Sequence, residues 1–195
     1  MTATPLPCAI AIGGSAGSIE ALGELLPALA PGLAAPVIVV LHLPREQPSL
    51  LCEIFAPRCR LAVREAQDKE PLMPGTIYFA PPDYHLLVDA GPVLALSIDP
   101  PVLFSRPSID VLFESAADVY GARLTALLLS GANADGAQGL ATVQRAGGRA
   151  VVQAPASAQA SAMPEAALAL ITPDHVLPPA RMAPLLNHIY PGRPS

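Results

Sequence analysis

Three polar residues of this largely apolar chain have the side chains that acyl transfer uses: Ser15 in "IGGSAGS", His42 in "VVLHLP" and Asp135 in "SGANADGAQG". Ser15 lies between glycines, where an apolar run gives way to a helical pattern. Glycine there permits a strained turn that lifts a hydroxyl above a sheet edge, beside the backbone N–H groups of a helix start. A nucleophile needs that placement, but the same stretch also suits a phosphate-cradling loop or a tight corner with a small residue. His42 ends a second apolar run. It could take the serine proton as general base, an effect worth roughly 100- to 10,000-fold in rate, or be a hydrogen-bonded histidine at a strand end. Asp135 could orient an imidazole and stabilise its protonated form, or N-cap the helix that follows it.

The elements that must position them follow from hydrophobic patterning. "CAIAI" from 8 to 12 reads as a strand buried on both faces, ended by Gly13 and Gly14. Ile19, Leu22, Leu25, Leu26 and Leu29 then recur at helical spacing, with Ser18 as the expected N-cap and Pro31-Gly32 as the stop. "APVIVVLHL" is a second buried strand and "LCEIFA" starts a helix closed by Pro57. Between about 60 and 100 the pattern changes to "LAVREA", "GTIYFAPP", "YHLLVDA" and "PVLALSI", read as an antiparallel insertion with a hairpin at Asp89-Ala90-Gly91. Ser108 N-caps a helix with the stripe Leu112, Phe113, Ala116 and Tyr120, ended at Gly121. "LTALLLSG" and "RAVVQ" are further strands, "DGAQGLATVQRAGG" and "MPEAALALI" further helices, and a proline-rich tail closes the chain. This alternation predicts a three-layer α/β/α sandwich, doubly wound around a mainly parallel sheet with a small antiparallel hairpin insertion. Ligands of such sheets sit at the carboxyl ends of the strands. Ser15, His42 and Asp135 each follow a predicted strand, so the three share that edge.

Composition removes several function classes. In 195 residues, 52% are apolar and 14% charged, so the chain is neither disordered nor fibrous. A net charge of −5 without a basic run speaks against nucleic acid as a partner. No apolar stretch approaches the roughly 20 residues that cross a bilayer, and "MTATPLPC" has no positive charge before its short apolar run. A cytoplasmic protein without direct membrane insertion is expected. Cys8, Cys52 and Cys59 show no C-x-x-C spacing, and His42, His85, His175 and His188 show no zinc-type spacing. Reduced thiols and no metal are expected.

The motifs "AIAIGGSAGSIEAL", "VLHLP", "MPGTIYFAPPDYHL", "SRPSIDVLFESAA" and "LLLSGANADGAQG" occur in an order and spacing similar to those of bacterial chemotaxis protein-glutamate methylesterases, the catalytic domain of CheB. The resemblance runs from about Cys8 to Leu170 and implies one catalytic domain over 1–195, with its core at about 8–190. It implies a doubly wound sheet and a triad that hydrolyses glutamate γ-methyl esters on chemoreceptor cytoplasmic domains, with receptor glutamine deamidation in some members. By motif position the nucleophile falls on Ser15, the base on His42 and the orienting acid on Asp135, with no cofactor. Oxyanion donors would be backbone N–H groups near Ser15 or the Asp135 loop.

The chain departs from that pattern at Ala16, where the family usually has threonine, at Ala132, where methionine is usual, and at Ser105, where histidine commonly precedes R-P-S. These changes enlarge or depolarise the pocket and predict an altered rate or substrate. They also leave open a catalytically silent, receptor-binding relative. The receiver domain that usually precedes this domain is missing from these 195 residues, so either that regulation is lost or a separate regulatory or receiver protein supplies it as a partner. Two rivals remain at this point. An α/β hydrolase would take His175 or His188 as its base, although its elbow normally follows several strands. A nucleotide-binding module would need the third glycine of G-x-G-x-x-G, which is lacking.

Overall fold

Alternation along the first strand already sorts the fold into layers. In β1 (Ala9–Gly14) every residue is buried. Ala9 and Ala11 face one core, and Ile10 and Ile12 face another on the opposite side of the sheet. The computed structural model describes residues 8–43 and 48–192. Pro44 of the second motif and the end of the proline-rich tail lie outside the described residues.

From β1 the chain enters α1 (Ser18–Leu25), β2 (Val37–Leu41), α2 (Leu51–Phe55), β3 (Ala62–Glu65) and β4 (Thr76–Phe79). A hairpin of β5 (His85–Asp89) and β6 (Val93–Ser97) follows, then α3 (Ile109–Tyr120), β7 (Leu124–Leu128), α4 (Ala137–Arg145) and β8 (Arg149–Gln153). α5 (Ala162–Leu170), β9 (His175–Leu177) and α6 (Pro179–Ile189) complete the described chain. Seven strands form one sheet in the order β3-β4-β2-β1-β7-β8-β9, with every neighbouring pair parallel. β5 and β6 pair antiparallel in a sheet of their own. The three-layer, doubly wound architecture expected from the sequence is therefore present.

The two cores divide the helices. One unites Ala9, Ala11, Ile38, Val40 and Tyr78 of the sheet with α3, α4, α5 and the hairpin residues Leu86 and Leu94. The other unites Ile10, Ile12, Val37, Val39 and Phe79 with α1, α2 and α6. Each fully buried Leu, Ile or Phe contributes about 1.5–3 kcal/mol relative to exposure, so both faces are strongly specified.

Four local expectations are corrected. "LAVREA" and "GTIYFAPP" are not part of an antiparallel insertion; they are β3 and β4, added in parallel beyond β2. β4 pairs with β2, an earlier strand across the α2 and β3 segments, and strand length and turn residues do not encode strand direction. Ser18 does not cap α1. Gly17 occupies that position at φ 80°, where a side chain would be strained, and the Ser18 hydroxyl donates instead to Ser130 O at 2.7 Å. Asp135 does not cap α4, whose N-cap is Gly136. Finally, much of the stretch read as a tail is β9 and α6. Pro179 opens α6, where a missing N–H is harmless, and Met182, Ala183 and Leu186 bury against the sheet.

Candidate active site

The parallel register sets two of the three candidate residues side by side. Gly14 pairs with Leu41, and the His42 N–H donates to Gly14 O at 3.2 Å, so Ser15 and His42 leave adjacent strands at the same edge. On the other flank of β1, the Leu129 N–H donates to Gly13 O at 2.8 Å and the Ser15 N–H to Ser130 O at 2.9 Å. β7 thus holds the serine turn from the side opposite His42.

Ser130 does most of that holding. Its hydroxyl donates to Ala16 O at 2.6 Å, and its carbonyl accepts from both Ser15 N–H and the Ser18 hydroxyl. Its own N–H donates to the Gln153 side chain at 2.8 Å, which ties the serine turn to the end of β8 as well. The Ser15 N–H also approaches Ser18 Oγ at 3.1 Å and so is occupied twice over. Among the described residues the N–H groups of Ala16 and Gly17 have no acceptor.

Asp135 reaches His42 across the sheet edge. Its Oδ2 accepts from His42 Nε2 at 2.7 Å, with the carboxylate fully buried and the imidazole 13% exposed. The same oxygen accepts from the Ile109 N–H at 2.7 Å, while Oδ1 accepts from the Ser108 hydroxyl at 2.9 Å and the Asp110 N–H at 3.0 Å. The carboxylate therefore caps α3, not its own helix, and takes the favourable end of that helix's dipole. Burial pushes its pKa up, but His42, the Ile109 and Asp110 N–H groups and the Ser108 hydroxyl outweigh this and hold it below the usual value. An ionised, immobile carboxylate results.

Asp110 returns the cap. Its Oδ1 accepts from Gly136 N–H at 2.9 Å and Gly139 N–H at 2.6 Å, the first turn of α4. The helices must approach closely for this: a Cβ at Gly139 would lie 2.8 Å from Phe113 Cβ and 2.9 Å from Asp110 Cα. Burial, above all, raises the Asp110 pKa to about 6, and the charges of Asp135 and Glu114 add to that shift against the two N–H donors. His85 braces the same corner. The Ser108 N–H donates to its Nδ1 at 3.1 Å, and its Nε2 lies 3.1 Å from Pro100 O.

With Nε2 directed at a carboxylate, His42 carries its proton there and leaves Nδ1 as the acceptor. The hydroxyl within reach of Nδ1 is that of Ser105, at 3.5 Å. Among the described residues no hydrogen bond joins the Ser15 hydroxyl to His42. The structure thus brings His42 and Asp135 into contact and sets Ser15 on the neighbouring strand end. Of the rival bases, His175 sits in β9, three strands from β1, and His188 in the last turn of α6.

Residues 10–186 match the family model described as CheB methylesterase. This chain belongs to that family. A relative from Leptospira interrogans is 42% identical over 177 residues, which cover 91% of this chain and 92% of its own length. The protein-glutamate methylesterase/protein-glutamine glutaminase of Azospirillum brasilense is 36% identical over 185 residues, covering 93% of this chain but 47% of that protein. The chain therefore spans about half the length of the Azospirillum relative. The crystal structure of the Thermotoga maritima CheB methylesterase catalytic domain superposes with a TM-score of 0.91 at 28% identity, covering 94% of this chain and 98% of that one. The relatives' names are those of hydrolases, and the fold is that of the CheB methylesterase catalytic domain.

Three residues of the candidate site are not marked as such by the sequence. Ser130, Ser108 beyond its capping role, and Asp110 are all buried polar side chains. Polarity in an apolar run marked Ser130, and "RPSID" contained the other two, but nothing local says that Asp110 would serve a helix 26 residues away. Ser105, at a position where the family commonly has histidine, lines a cleft of about 150 Å³ with His42, Leu43, Phe104, Arg106 and Pro107. Ala16 and Ala132 are exposed at the two loops.

Proposed function

We propose that this chain is a protein-glutamate methylesterase acting on methylated chemoreceptor cytoplasmic domains, with one catalytic domain whose core spans about 8–190. Ser15 is the nucleophile, His42 the base and Asp135 the orienting acid. The observation that carries this reading is the 2.7 Å bond between His42 Nε2 and a buried Asp135 carboxylate, one strand away from Ser15. It is supported by the hydrolase names of the relatives.

His42 Nδ1 takes the Ser15 proton as Oγ attacks the ester carbonyl. Asp135 stabilises the imidazolium that forms, with its charge already fixed by four donors. The oxyanion is held by the Ala16 N–H, the group next after the nucleophile, with the Gly17 N–H beside it at the positive end of α1. Removing one such donor costs roughly 100- to 1,000-fold in similar sites. Nδ1–H then protonates the departing methoxide, methanol leaves, and water repeats the sequence on the glutamyl-enzyme to give free carboxylate. Glutamine deamidation is the same sequence with ammonia as leaving group. Every group required belongs to the chain, and the enzyme works in the cytoplasm at receptor clusters. Among the described residues no helix is long and apolar enough to cross a membrane.

Methanol release from a methylated receptor cytoplasmic fragment tests the reading. The native protein is expected to release methanol and Ser15→Ala to fall to background; equal release by both would refute it.

A further inference from the structure

Between the β5–β6 hairpin and α3 the chain passes the catalytic histidine in a four-residue turn whose residues do not suit its shape. The Val102 N–H donates to Ser105 O at 3.1 Å and the Ser105 N–H to Val102 O at 2.8 Å. Leu103 and Phe104, between them, have φ of 46° and 65°. Two successive left-handed residues make the mirror-image turn that hairpins normally build from asparagine and glycine. A leucine and a phenylalanine are sterically disfavoured there, and such conformations survive where surrounding structure and function hold them.

The foot of the turn is held on several sides. Arg106 donates to the Asp83 carboxylate from Nε at 3.1 Å and Nη2 at 2.8 Å, and from Nη1 to the carbonyls of Ile98 at 2.8 Å and Asp99 at 3.1 Å. The tip is given over to apolar surface: Phe104 is 96% exposed and Leu103 51%. Phe104 also forms a wall of the 150 Å³ cleft that contains His42 and Ser105.

We propose that this turn is a substrate clasp. Leu103 and Phe104 cover the apolar flank of the polypeptide segment that carries the methylated glutamate and guide its ester into the cleft against His42. The proposal rests on the methylesterase reading above. A methyl ester is neutral, and Leu43, Phe104 and Pro107 give its methyl group an apolar wall in the cleft. The carboxylate left after hydrolysis gains less there, because the cation among the described lining residues, Arg106, is already bonded to Asp83 and two carbonyls. The clasp thus favours substrate over product. Holding the tip in one conformation beforehand also lowers the ordering cost of binding.

The test compares native protein, the double variant Leu103→Asn/Phe104→Gly and the single variant Phe104→Ala, using methanol release over a range of methylated receptor fragment concentrations. The double variant supplies the residues the turn shape prefers, so its Tm is expected to hold or rise while its KM climbs about tenfold, the equivalent of one lost apolar side-chain contact. kcat is expected to stay within about twofold, because interactions made equally in ground and transition states appear in KM. Phe104→Ala, which keeps Leu103, is expected to raise KM in the same direction. An unchanged KM in both variants overturns the clasp and leaves the methylesterase reading standing. Native protein that releases no more methanol than Ser15→Ala overturns that reading, and the clasp with it.

Discussion

Replacing Asp110 by asparagine is expected to stabilise the folded protein at about pH 8 and to have little effect below about pH 4. Both Gly136 and Gly139 donate to a single atom, Oδ1, which asparagine retains as a carbonyl oxygen. Oδ2 bonds to no described residue; yet no buried side-chain oxygen or nitrogen among the described residues lacks a partner, so this edge of a 7% exposed side chain meets water. The substitution therefore removes charge without removing a bond. The Asp110 pKa rises from 3.8 to about 6, through burial first and the neighbouring Asp135 and Glu114 charges after it. A raised carboxyl pKa means that its contribution to stability is whole below about 3.8 and is lost as pH rises through about 6. At about 1.4 kcal/mol per pKa unit the loss is at most about 3 kcal/mol, and solvent at Oδ2 reduces it to about 2. For a chain of this length that corresponds to a gain of about 4–8 °C in Tm for Asp110→Asn at pH 8. Asp110→Ala is expected to do the opposite, since it leaves two buried N–H groups without an acceptor at about 1–3 kcal/mol each. Urea unfolding followed by circular dichroism at about pH 4.5 and pH 8 measures both. An asparagine variant less stable than the native protein at pH 8, or a gain equal at the two pH values, would refute the reasoning, because the charge would then be serving α4 more than burial and repulsion cost.

Asp135→Asn is expected to lower kcat for methanol release about 1,000-fold or more, by disturbing the tautomer of His42. Its pH dependence has the opposite sign to that of Asp110: a depressed carboxyl pKa adds stability above about 3.8 that disappears as pH falls through the folded value, so thermal melts of the asparagine variant should show a flatter acid limb. Ser108→Ala removes both the cap of α3 and a donor to Asp135 Oδ1, and should cost about 1–2 kcal/mol in chemical denaturation. Gly139→Ala places a methyl group 2.8 Å from Phe113 Cβ, and forcing α3 and α4 apart should cost about 1–3 kcal/mol and reduce activity along with Tm.

How much of this was legible in the sequence depends on how local the information is. β1, β2 and β7 announced themselves as apolar runs with glycine, histidine or a polar loop at the end, and that alone placed Ser15, His42 and Asp135 on one edge. Ser108 and Gly121 marked α3 at both ends, as the structure has them. The parallel attachment of β3 and β4 was not legible, because "AVRE" is mostly exposed at the sheet edge while "TIYF" is wholly buried, and neither pattern carries direction. Ser18 and Asp135 have the right types for caps and sit at helix starts, yet each is used elsewhere: Ser18 for Ser130 O, Asp135 for α3. Capping preference is a local statistic, and these side chains had a stronger partner across the sheet.

The crossing of caps explains why the site tolerates a buried carboxylate pair at all. Asp135 closes the start of α3, and Asp110, in the first turn of α3, closes the start of α4, the helix that follows Asp135. Each helix thus supplies donors to the acid of the other, so neither helix can shift without unpairing a buried charge. That constraint fixes Asp135 Oδ2 against His42 more firmly than a loop of its own could, at the cost of a second acid that burial makes reluctant to ionise. Under the proposed function the two acids have separable tasks: Asp135 sets the chemistry of His42, and Asp110 sets where Asp135 stands. A variant that keeps Oδ1 at position 110 should preserve that placement even without the charge, which is why Asp110→Asn and Asp135→Asn, one isosteric change made at two neighbouring acids, are expected to part so widely in kcat.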